Sequence, residues 1–134
     1  MILCLMIFIY FLPTGHSTLT GKRSGQVLSY ATRKKFCWKC LRGSKPHVCR
    51  KNFERSARAM EPDMAVELVC RNKVLQESNC RVGTLIGDDD SSYISAVRRY
   101  APLPIKKVAD INHSTQTLSN NLYKLTPKLD TKVP

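Results

Sequence analysis

The chain has 134 residues, room for one domain. Its 22 Lys and Arg against 10 Asp and Glu give a formal net charge of +12, and 43% of its residues are hydrophobic, a share that suits a folded domain. No apolar run reaches the roughly 18 residues of a membrane-spanning helix, so a multi-domain enzyme, a helical membrane protein and an acidic scaffold are excluded.

Residues 1–12 (MILCLMIFIYFL) are apolar throughout and are followed by Pro13, Thr14 and Gly15. They resemble the apolar core of a secretory leader, yet no basic residue precedes them and no small-x-small cleavage site follows. The alternatives are a buried strand or a stretch foreign to the fold. Residues 1–14 are therefore set apart as an apolar leader or non-homologous start. Segments 16–21 and 26–32 flank Lys22-Arg23-Ser24-Gly25, whose Ser-Gly pair signals a turn, and together they predict an antiparallel hairpin. Residues 34–52 read as a basic, cysteine-rich loop.

From Pro62 the pattern turns helical. Proline suits the first turn, Asp63 suits the positive end of the helix dipole, and Ala65, Leu68 and Val69 fall on one face. Residues 81–86 (RVGTLI) predict a short buried strand stopped by Gly87 and three aspartates. Ser91 and Ser92 can cap a helix through Ile94 and Val97 to Tyr100, which Pro102 and Pro104 end. Residues 105–109 are a second strand candidate. Leu118, Leu122 and Leu125 mark a last helix, and 126–134, with two prolines, read as a frayed tail. Hairpin, insertion, helix, strand, helix, strand, helix is the order of an α/β sheet layered with helices.

Charge is unevenly spread. Residues 15–60 carry 12 basic residues and one acid, Glu54; residues 61–95 carry seven acids and three bases; residues 96–134 carry seven bases and two acids. A basic half beside an acidic cluster fits a polyanion-binding surface around a carboxylate site, although Lys and Arg favour the solvated surface of any protein.

Cys37, Cys40, His47 and Cys49 form C-x2-C-x6-H-x-C. Four soft or borderline ligands within thirteen residues can close tetrahedrally on Zn²⁺. The His-x-Cys pair fits because alternate residues of an extended segment point the same way. The other reading is a disulfide framework, which six cysteines permit; loss of a leader would remove Cys4 and leave an odd number. Cys70 and Cys80 stand apart as buried thiols or strays. Asp88, Asp89 and Asp90 lie where a strand gives way to a helix, the place where ligands gather in open α/β sheets, and adjacent carboxylates suit Mg²⁺. The plainer reading is an acidic turn that caps a helix. His113, in Asp110-Ile111-Asn112-His113, follows the second strand and by itself reads as a capping or surface histidine.

Six blocks stand in a set order: His16-Ser17-Thr18-Leu19-Thr20-Gly21; Gly25-Gln26-Val27-Leu28-Ser29-Tyr30; the CxxC segment running into His47-Val48-Cys49-Arg50-Lys51-Asn52; Ser56-Ala57-Arg58-Ala59-Met60-Glu61-Pro62-Asp63; Ile86-Gly87-Asp88-Asp89-Asp90-Ser91-Ser92; and Asp110-Ile111-Asn112-His113. Together they resemble the Mutator-like transposase domain of animal DNA transposons. The resemblance implies a ribonuclease H-like fold and a DDE-type site, in which three carboxylates hold two divalent metals to cut and join DNA. It implies Asp88 as the second carboxylate, with Asp90 as the other candidate, and it sets Asp110 at a position where the family has cysteine. The first carboxylate belongs to a strand upstream of the hairpin, where this chain has no acid before Glu54; the third, a glutamate, would lie beyond Pro134.

The expectation is a truncated transposase core over residues 15–125: α/β, partly ribonuclease H-like, with a zinc-binding insertion at 36–50. It binds DNA, associates with other transposase subunits, has no small-molecule or membrane partner, works in the nucleus, and with one carboxylate of three is catalytically incomplete. The rivals are an active Mg²⁺-dependent nuclease or strand transferase completed by another subunit, and a small secreted disulfide-linked protein in which residues 1–12 act as a signal.

Overall fold

The apolar start of the chain, for which the sequence leaves both a leader and a buried strand open, carries strand β1, Ile2–Phe11. The computed structural model describes residues 2–11, 13–43, 46–88 and 92–129, without the side chains of Leu3, Leu5, Tyr10, Phe11, His113 and 126–129. β1 turns directly into β2, Thr14–Gly21, and β3, Val27–Lys34, follows as the second arm of the expected hairpin. Both junctions are antiparallel, with Cys4 opposite Gly21 and Phe11 opposite Thr14 in one, and Thr14 opposite Lys34 in the other. The hairpin turn is closed by the Gly21 amide donating to the Gln26 carbonyl at 2.9 Å and the Gly25 amide donating to the Gly21 carbonyl at 2.8 Å. Gly25 there has φ +67°, a left-handed conformation that glycine adopts without the Cβ penalty.

Beyond the hairpin, β4, Val82–Gly87, lies parallel to β1 with Cys4 beside Leu85, and β5, Lys106–Ala109, lies parallel to β4 with Gly87 beside Ala109. The sheet order is β3-β2-β1-β4-β5, and only β2 runs against the rest. β1 carries apolar residues on both of its faces, so its sequence lacks the apolar–polar alternation that usually marks a strand with one face exposed. The topology also places the carboxyl ends of β1, β3, β4 and β5 on one rim of the sheet.

The β3-to-β4 connection carries a short helical segment α1, Trp38–Leu41, a 3₁₀ turn at Ala57–Ala59, and helices α2, Met60–Cys70, and α3, Lys73–Glu77. The β4-to-β5 connection carries α4, Ser92–Tyr100, and α5, Ile111–Leu129, follows β5. α2 is packed against both the hairpin strands and α4, so it buries more than one stripe. Met60, Met64, Ala65, Val66 and Leu68 are all buried, where the sequence leads one to expect Ala65, Leu68 and Val69. Each such large apolar side chain contributes about 1.5–3 kcal/mol by leaving water. α3 is signalled only by Asn72, whose side chain caps it by accepting from the Val74 amide at 3.0 Å and the Leu75 amide at 3.4 Å.

On the other face of the sheet, Ile7 and Ile9 remain about half exposed. The expected leucine stripe of α5, Leu118, Leu122 and Leu125, is likewise exposed. Among the described residues, no helix is long and apolar enough to cross a membrane.

Candidate functional site

β3 ends at Lys34, and residues 36–51 leave the sheet as a loop closed at its neck. The Lys34 amide donates to Asn52 Oδ1 at 2.6 Å, Asn52 Nδ2 donates to the Thr32 carbonyl at 3.0 Å, and the Asn52 amide donates to the Lys34 carbonyl at 3.0 Å. Within the loop, the one-turn helix α1 sets Cys40 a turn beyond Cys37. Gly43, at φ +61°, then reverses the chain just past the end of α1. An extended return brings back His47 and Cys49, two residues apart.

The four ligand atoms lie within 4.8 Å of one another. Cys37 Sγ and Cys40 Sγ are each 3.4 Å from His47 Nε2, and Cys40 Sγ is 3.4 Å from Cys49 Sγ. Zinc bonds of about 2.3 Å to sulfur and about 2.0–2.1 Å to nitrogen define a tetrahedron with edges of about 3.6–3.8 Å. The three 3.4 Å contacts are within a few tenths of an ångström of those edges, and every other pair lies within 4.8 Å. The Cys40–Cys49 separation far exceeds the roughly 2.05 Å of a disulfide, and all six cysteines are free thiols. Cys37, Cys40, His47 and Cys49 thus form a group able to hold a structural metal ion such as zinc.

A hydrogen bond to the Cys40 backbone, helped by His47, pulls the Cys37 thiol down to about 6. The contact with Cys49 pushes Cys40 up to about 11. One sulfur is a ready thiolate, while the next gives up its proton when a cation arrives, the usual exchange of metal for protons at thiol ligands.

The carboxylates lie elsewhere on the same rim. Asp88 directly follows β4 and is half-buried. Asp90, with Asp89 and Ser91, lies outside the described residues. Behind Asp88 the backbone is held closely: Tyr93 of α4 is fully buried, its ring 5.6 Å from Phe8 of β1, and its hydroxyl lies against Gly87 where a Cβ would stand. Asp110 follows β5, and its amide donates to the Gly87 carbonyl at 2.8 Å. Its side chain caps α5, with Oδ1 accepting from the Asn112 amide at 3.1 Å. His113 lies in the first turn of α5, and its side chain is outside the described residues. From the order of the strands, the Cys/His loop and Asp88 are separated by three strand spacings, about 14 Å at about 4.8 Å each.

Sequence reasoning singles out the four residues of the Cys/His cluster but misses the neck residue Asn52, whose local polarity gives no hint of a contact eighteen residues away. It also misses the aromatic pair beside the cluster. Phe36 and Trp38 meet edge-on at 4.8 Å between centroids, and Trp38 is 65% exposed. With Lys34, Lys39, Val48 and Arg50 they line an open cleft of about 900 Å³ whose floor includes Cys37 and His47.

No curated protein and no solved structure matches the chain significantly. The family model for Mutator-like transposase matches residues 10–134, beginning near the end of β1 and taking in the hairpin, the Cys/His loop, Asp88 and Asp110. The chain belongs to the Mutator-like transposase family.

Proposed function

We propose that the chain is a DNA-binding unit of ribonuclease H-like type, with zinc in its Cys37–Cys40–His47–Cys49 loop, acting in the nucleus beside other transposase subunits and not cutting DNA alone. The observation that carries the binding is the charge of the 36–51 loop and its neck. Its cleft is lined by Lys34, Lys39 and Arg50 and, among the described residues, by no acid, and two acids that follow the loop are engaged by other cations: Glu54 by Lys51, and Asp63 by Arg33 and Arg55. Exposed cations without local counter-charge favour a polyanion. A hairpin followed by alternating helices and strands in one mixed sheet is what the ribonuclease H-like reading asks for.

β1 is what keeps the chain from cutting DNA alone. A two-metal site needs carboxylates from neighbouring strands converging on one place. β1, the strand beside β4, is ILCLMIFIYF, without an acid. Asp88 therefore has no partner carboxylate from that strand.

Labelled duplex DNA is expected to bind with an affinity that falls steeply as salt rises from about 50 to 200 mM, with little sequence preference. Binding indifferent to salt overturns the reading. Supercoiled plasmid incubated with the chain and Mg²⁺ is expected to stay intact. Cutting that disappears in Asp88→Asn would instead support an active nuclease.

A further inference from the structure

We infer that the cleft beside the Cys/His loop is a stacking site for an unpaired base of a DNA strand, with Trp38 as its platform; this rests on the proposed DNA binding and goes beyond it. Trp38 is the chain's one tryptophan, and it is 65% exposed. Among the described residues of the loop, packing does not explain so large an apolar side chain in water, since α1 has no buried residue. Its helical neighbour Leu41 and the facing Val48 are exposed as well.

What surrounds the indole is suited to a nucleotide. The guanidinium carbon of Arg42 sits 5.8 Å from the ring centroid, a loose cation–π contact that a flexible side chain can open. Phe36 meets the indole edge-on, with an interplanar angle of 89°, and so braces it without taking its place. Lys34, Lys39 and Arg50 line the same cleft and bring to it the positive charge that a phosphate needs. An aromatic face inside a basic groove is the combination by which single-stranded nucleic acid is held without sequence readout, because every base has a π-face. A duplex buries those faces in its own stack and cannot offer them.

The position in the fold gives the site a consequence. Trp38 lies between the ligands Cys37 and Cys40, so the ion that fixes those sulfurs also fixes the platform. The loop springs from the carboxyl end of β3, on the rim that carries Asp88 after β4. A frayed or opened strand held at Trp38 is thereby led along the sheet edge, while paired DNA is held only by its phosphates.

Excited at the red edge of the aromatic band, where tyrosine does not absorb, intrinsic fluorescence reads Trp38, the one tryptophan among five tyrosines. With the full chain loaded with zinc, a short oligothymidylate is expected to quench it, and a blunt duplex of equal charge is expected to leave it little changed. By anisotropy of labelled DNA, Trp38→Ala should weaken the oligothymidylate about 5- to 150-fold, the range expected for losing one base–aromatic stack, and duplex binding less than about twofold. Trp38→Phe should restore part of the loss. Zinc content is measured on each variant, and the unmutated quenching experiment stands whichever variant fails to fold. If labelled duplex binds but oligothymidylate does not quench, or both quench alike, the stacking site is overturned and the DNA-binding reading survives. Equal losses for both DNAs in a zinc-loaded Trp38→Ala protein also overturn it. If neither DNA binds, the DNA-binding reading itself falls.

Discussion

Cys4 and Cys49 carry the same thiol in opposite surroundings. Cys4 is fully buried on β1, and that burial pushes its pKa up to about 11, which removes it as a nucleophile near neutral pH. Cys37, Cys40 and Cys49 are half-buried or exposed and are masked only by whatever ion they hold. Stripped of metal and treated with iodoacetamide near pH 7.5, the protein is expected to be alkylated at Cys37, Cys40 and Cys49 while Cys4 reacts only in denaturant; zinc should protect the first three. Peptide mass mapping checks this, and rapid labelling of Cys4 would mean that β1 is not seated in the sheet. At the same loop, Cys49→Ser is expected to reduce bound zinc in native mass spectra from one ion to none. The donor set was legible in the sequence because metal chemistry requires a few residue types at close spacing. Asp88 was legible as a strand-end carboxylate for a similar reason. Trp38 was not, because an aromatic beside CxxC reads as packing until its exposure is known.

The Cys/His loop is an element without a core. No side chain of α1 is buried, and the returning segment exposes Val48, which leaves the neck at Asn52 and the Cys/His cluster, able to hold a metal ion, to order the loop. Structural zinc is worth about 10–16 kcal/mol in finger peptides, ample to order a stretch this short. Chelation is therefore expected to open Lys39, Arg42 and Arg50 to trypsin within minutes, while the peptide from β4 to α4 stays protected; loss of both together would join the loop to the core as one folding unit. The opposite regime holds at Gly87. There the Tyr93 hydroxyl occupies the space of a Cβ, and the ring behind it is fully buried, so it has nowhere to retreat. Gly87→Ala is expected to lower stability by about 1–3 kcal/mol, read as a shift in the urea midpoint. The contrast also explains which elements the sequence revealed. The hairpin, β4, α4 and β5 announce themselves through turn residues and apolar patterns that stay local. β1 does not, because apolar residues stand on both its buried and its half-exposed face, and an unbroken apolar run does not tell a strand from a leader. α3 is too short for periodicity, and α2 buries Met60, Met64 and Val66 besides the expected face because both the hairpin strands and α4 pack against it. The α5 leucines have the right spacing yet remain exposed, since spacing predicts a face and not what covers it.

Over the whole molecule, the +12 charge is sorted by the fold rather than spread evenly. Arg33 on β3 pairs with Asp63 at 2.6 Å and with Glu67, both on α2, and Arg55 pairs with the same Asp63. Burial alone would lower the Arg33 pKa, but Glu67 and Asp63 outweigh it and hold the guanidinium above its ordinary value. The basic first third and the acidic middle of the chain thus cancel where sheet meets helix, and these cations serve the fold. Lys39 and Arg50 of the 36–51 loop meet no acid among the described cleft residues and are left to act outward. The two groups should separate by experiment. Arg33→Ala removes a half-buried cation from two carboxylates and is expected to cost stability, seen as a lower Tm, with DNA affinity below the transition unchanged. Reversing Lys39 and Arg50 together to Glu is expected to leave Tm nearly where it was, weaken DNA binding, and reduce the slope of log affinity against log salt by about 1 for each lost phosphate contact. Equal slopes before and after the reversal would move the DNA-facing surface away from the loop, to the basic residues of α4 and β5.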